Sequence, residues 1–70
     1  MERILITLDR RAIAYVRFIF EGYDGLGILS TVDSKLASAI IAYPAGNRNT
    51  VRELVQALQN EGAIKEVHAA

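Results

Sequence analysis

Strand-period and helix-period stretches alternate along this chain in one fixed order: strand, helix, strand, strand, helix, strand. Four short β-type runs and two amphipathic helical patterns fill 70 residues with no linker, repeat or low-complexity segment between them. That order restricts the architecture more than any single motif in the chain does.

Arg3 to Leu8 (RILITL) alternates as a strand, with Ile4, Ile6 and Leu8 on one face and Leu5 and Thr7 on the other. Asp9 is suited to N-cap the helix that follows, because its carboxylate can accept from backbone N–H groups that lack an intrahelical partner. From Arg10 to Gly22 the period becomes helical. Ala12, Tyr15, Val16, Ile19, Phe20 and Tyr23 form the apolar stripe, and Gly22 and Gly25 bracket the exit. Leu26 to Val32 and Leu36 to Tyr43 are β-rich and flank the polar turn Asp33-Ser34-Lys35, so they read as a hairpin. After the irregular loop Pro44–Asn49, Thr50-Val51-Arg52-Glu53 matches a capping box, with Thr50 as N-cap. Val51, Leu54, Val55 and Leu58 continue the helix to Gly62, and Ala63 to Val67 closes as a strand.

Right-handed crossovers and antiparallel pairing turn this order into a single α+β domain over residues 1–70. The expected architecture is a ferredoxin-like βαββαβ sandwich: a four-stranded antiparallel sheet in the order 4-1-3-2 with two helices on one face. The loops at Glu21–Gly25 and Pro44–Asn49 then share one end of the sheet with both termini.

A domain of this size buries only about 60% of the surface that its unfolded chain exposes. With no cysteine and one histidine, disulfides, thiolate metal sites and histidine clusters are excluded as remedies. A hydrophobic content of 51% leaves self-association as the remaining one, and a homodimer is expected. Eight basic residues balance eight acidic ones, which argues against a nucleic-acid partner. No apolar run is long enough for a membrane span or a signal peptide, so the expected compartment is the cytoplasm.

Alternation places apolar side chains on both sheet faces. Reading Ile6, Ile28 and Ile40 inward puts Leu5, Leu29 and Ile41 outward, and these three, with Phe18 on the helix flank, are the expected interface. A ligand, if there is one, is expected where the two longer glycine-containing loops meet a helix start. Tyr23, Asp24, Gly46, Asn47, Arg48 and Thr50 would line that site around a small anionic group. The plainer account of the same residues is a solvated loop with an ordinary Thr cap. Arg10 and Arg11 oppose the helix dipole and are most simply solvated beside Asp9. His68 is most simply a solvated tail residue.

Sharper uses of such a sheet lack their residues. The two central strands carry only Tyr43 as an aromatic for base stacking, there are no paired cysteines for a metal carrier, and no glycine-rich anion cradle follows the first strand. No nucleophile–base pair is evident, so no enzymatic activity, cofactor or metal is expected.

The segment Glu21-Gly22-Tyr23-Asp24-Gly25-Leu26, preceded by Asp9-x-x-Ala12-x-Ala14-Tyr15-x-x-Phe18-x-Phe20, resembles a family of very small bacterial proteins known as domain of unknown function 4911. That family brings no established activity or site. At fold level the resemblance implies similarity to ACT domains, βαββαβ dimers that sense amino acids near a glycine-containing turn after the first strand. Here that position holds Asp9-Arg10-Arg11. Two functions therefore stand open: a small self-associating domain that binds an amino-acid-type or other anionic ligand, and a protein-interaction module that uses its open sheet face without a ligand.

Overall fold

The computed structural model describes residues 1–22 and 25–68. It comprises β1 (Glu2–Leu8), α1 (Ile13–Gly22), β2 (Ile28–Asp33), β3 (Ser38–Tyr43), α2 (Arg48–Glu61) and β4 (Ile64–His68), with single 3-10 turns at Arg10–Ala12 and Ala45–Asn47. All strand pairings are antiparallel. The strands lie in the order β2-β3-β1-β4, which is 4-1-3-2 counted from the β4 edge.

Both helices bury their apolar stripes on the same sheet face. The register pairs Ile4 with Ile41 and Ile41 with Leu29, so these side chains share a face, and Ile6 lies beside Ala39. Against them pack Val16 and Phe20 of α1 and Val51, Val55 and Leu58 of α2, closing one core with Leu8, Tyr43 and Ile64. Among the described residues no helix is long and apolar enough to cross a membrane.

This register corrects the expected faces of β2 and β3. Leu29 and Ile41 are 3% and 0% exposed and belong to the core, while Ile28 is 57% exposed. The strand period is two, so choosing the wrong member of the pairs Ile28/Leu29 and Ile40/Ile41 inverts a whole strand. Adjacent large apolar residues leave that choice undecided locally. The partner strand decides it, through the pairing of Ile41 with Ile4.

Three boundaries also move. Asp9 does cap the first helical turn, accepting from the Arg11 N–H at 2.9 Å, but that turn is 3-10 and the α-helix begins at Ile13. The hairpin turn extends through Ala37. Asp33 Oδ1 accepts from the N–H groups of Lys35 and Leu36, and Leu36, expected in the strand, stands exposed. The capping box at Thr50 does not form: α2 starts at Arg48 with Asn47 at the N-cap, and Thr50 lies inside the helix. Pro44 sets this earlier start. Its carbonyl accepts from the Asn47 N–H at 2.9 Å and winds the chain into helix before Thr50 is reached.

Candidate functional site

A concavity lined by both polar and apolar side chains lies between α2 and the sheet. Arg48, Arg52, Gln56 and Gln59 recur at intervals of three and four, so they form one stripe along the helix beside the buried Val55. The stripe faces the ends of β1 and β4. Together they enclose a cleft of about 750 Å³ whose other lining includes Glu2, Ile4, Tyr43 and Val67.

The strongest contact in the cleft joins Arg48 to Glu2. Arg48 Nε donates to both Glu2 carboxylate oxygens, at 2.8 and 2.9 Å, and Nη2 donates to Oε2 as well. Hydrogen bonding by Arg48 lowers the Glu2 pKa to about 2, against a partial desolvation that raises it, with the Tyr43 phenol and the Arg52 charge adding to the lowering. Tyr43 is buried, and that burial, followed by Glu2, raises its phenol pKa. Arg52 makes no salt bridge or hydrogen bond among the described residues, although it lines the same cleft one turn along.

A second groove, of about 920 Å³, runs between the helices on the opposite flank of α2. Phe18, Ile19, Leu26, Leu54 and Ala57 make it apolar, with Glu53 and Glu61 at its rim. Tyr15, expected in the core, is instead half exposed here, and its hydroxyl donates to Glu61 at 3.3 Å.

The residues expected to converge on a ligand do not form one site. Tyr23 and Asp24 lie outside the described residues. Gly46 is exposed, with open space around it. The Asn47 side-chain amide donates to the Leu26 carbonyl at 3.2 Å, which ties the two loops together as their shared end of the sheet requires. Arg48 opens into the polar cleft and Thr50 into the apolar groove. At 100° per residue, Thr50 sits about 200° around the helix from Arg48, so one pocket cannot take both. The expected interface separates too: Leu5 lies on the uncovered sheet face, Phe18 in the helical layer, and Leu29 and Ile41 between them in the core.

The sequence offers Arg52 beside Arg48 as added charge at the helix start, but the expected lining left Arg52 out, and Gln56 and Gln59 were missed altogether. Their signal was available as the i, i+4, i+8 run Arg48-Arg52-Gln56. Placing Arg48 inside α2 rather than in the preceding loop adds the first member of that run. Also missed was a hydroxyl–imidazole contact, Thr7 Oγ1 to His68 Nε2 at 3.2 Å, on the exposed side of β1 and β4. Among the described residues no carboxylate orients this imidazole, so the pair lacks the third member that a nucleophile–base system needs. No group of three or more metal-ligating side chains occurs among the described residues.

The family described as Domain of unknown function (DUF4911) matches residues 6–61, from within β1 to the end of α2. The chain belongs to this family. Its matched span carries the Arg48-Arg52-Gln56-Gln59 stripe and all the residues that line the apolar groove, whereas Glu2 and β4 fall outside it. No curated protein and no solved structure matches this DUF4911 chain.

Proposed function

We propose that this chain is a non-catalytic cytoplasmic domain of the ferredoxin-like, ACT-like type that self-associates and binds a small anionic ligand. The observation that carries the self-association is the uncovered sheet face. Leu5, Ile40 and Ala42 are only partly covered there and Ile28 is 57% exposed, so the sheet lacks a second layer. A second copy of the same face is a self-complementary cover, and pairing about a two-fold axis would give the homodimer.

The geometry favours the face over the β2 edge. Glu21 accepts from the Leu29 N–H at 3.1 Å, so an α1 side chain occupies a backbone donor that an added strand would need, and Arg17 donates to the Thr31 hydroxyl of the same strand at 3.3 Å. The alternative reading, a protein-interaction module without a ligand, uses this same face for a different chain.

Sedimentation equilibrium at tens of micromolar tests the reading. The wild-type chain is expected to sediment as a dimer and an Ile40→Lys variant as a folded monomer. A wild-type monomer, or a dimer that Ile40→Lys leaves intact, would overturn it.

A further inference from the structure

The polar cleft has an unequal charge and an unequal use of its donors. Two guanidinium groups, Arg48 and Arg52, meet one carboxylate, Glu2, which leaves an excess of one positive charge in a chain whose net charge is zero. Arg48 is held by Glu2, while Arg52 has no partner among the described residues. Gln56 and Gln59 each direct one amide bond elsewhere, to Asn60 and to the Lys65 carbonyl, and each retains a second N–H. Beneath these polar groups Val55 and Val67 supply apolar wall.

We propose that this cleft binds a compact organic dianion, with Arg52 as its anchor and Glu2 as a built-in competitor for Arg48. The inference rests on the anion-binding reading above and names its site and ligand class. A guanidinium presents a planar fork that fits the paired oxygens of a carboxylate or phosphate. Two such groups one helical turn apart suit a ligand with two charges, and a volume of about 750 Å³ suits a small metabolite with an apolar stem against the valines. Glu2 already shows how a carboxylate docks on Arg48, so a ligand reaching both arginines has to displace it.

The other basic surface, formed by Asp9, Arg10, Arg11 and Lys65, is shallower and has no amide donors or apolar wall. It serves as the internal control.

The test is a titration of the full chain, followed by backbone amide and arginine Nε–H signals, with inorganic phosphate, phenyl phosphate and succinate at constant ionic strength. Saturable shifts are expected at Arg52, Gln56 and Val67 with at least one of the organic dianions. A larger response to phenyl phosphate identifies the ligand as an organic phosphate, and a larger response to succinate identifies it as a dicarboxylate. Arg52→Gln should weaken binding about tenfold or more, and Arg10→Gln should change it by less than about twofold. Glu2→Gln should tighten binding, because it removes the competitor; a purely structural pair predicts the reverse. Thermal unfolding of each variant confirms that it is folded. Saturable binding that Arg52→Gln leaves unchanged would overturn this site while keeping anion binding. Shifts confined to Asp9–Arg11 and Lys65 would do the same. No saturable shift with any of the three probes would overturn both.

Discussion

Glu2 and Arg48 stand 46 positions apart in sequence and form a forked ion pair that ties the first residue of β1 to the first turn of α2. The contact fixes one wall of the polar cleft and places a negative charge beside the start of a helix, where the backbone dipole favours it. Structural and functional demands meet at this pair, because the guanidinium that anchors the strand is also one that a ligand would seek.

The pair makes stability sensitive to acid. The Glu2 pKa falls from 4.5 to about 2 on folding, so the unfolded chain binds a proton more readily than the folded one. Its stabilising contribution is complete above pH 4.5 and is lost as the pH falls through about 2. Glu2→Gln should therefore lower stability near neutrality and flatten the decline toward about pH 3. Asp9, lowered by its bonds from Arg11, leaves a residual slope in the variant. Urea unfolding midpoints across that range provide the measurement, and parallel curves for both proteins would refute the assignment.

Two glycines should respond to alanine for different reasons. Gly62 closes α2 at φ +89°, with its N–H bonded to the Gln59 carbonyl and the Ala63 N–H to the Leu58 carbonyl. A Cβ there meets open space, so Gly62→Ala should cost about 1 kcal/mol through the backbone alone. Gly27 has no such φ, but a Cβ on it would sit 2.9 Å from the Ala42 carbonyl oxygen and 3.2 Å from Ile41 Cγ2. Gly27→Ala should be the more damaging, because β3 backbone must move. Denaturant titration of the two variants gives the ranking directly.

The elements and their order were legible in the sequence because periodicity and polar punctuation are local properties. Asp9 announced the first helix, and Gly62 announced the end of the second. Strand facing was not legible, since Ile28-Leu29 and Ile40-Ile41 each offer two apolar neighbours and only the register with β1 selects between them. The candidate site failed for a related reason. Arg48 and Thr50 were expected to converge across a loop, but both lie within α2, where two steps of about 100° set them on opposite flanks.

Thr50 offers a direct check of that boundary. An N-cap threonine would cost about 1 kcal/mol on replacement by alanine. Inside a helix the same change removes a β-branched side chain and should be neutral or stabilising by a few tenths of a kcal/mol. Thr50→Ala is thus expected to keep or slightly raise the unfolding midpoint. A clear loss would restore Thr50 as the cap.

The strand faces give the sharpest contrast, because adjacent identical residues are expected to behave oppositely. Ile41 is 0% exposed and contacts the core formed with Val16, Phe20 and Leu29. Removing one methyl group there, as in Ile41→Val, should cost about 1 kcal/mol whatever the protein concentration. Ile40, on the uncovered face, is only partly buried, so Ile40→Val should cost less than about 0.5 kcal/mol when the chain is dilute. If the uncovered face pairs with a second copy, the Ile40 deficit grows at concentrations where the dimer forms, since stability then includes the association term. Thermal unfolding of both variants over a hundredfold concentration range separates the two contributions. Equal deficits at every concentration would mean that β3 does not distinguish its faces as this register requires.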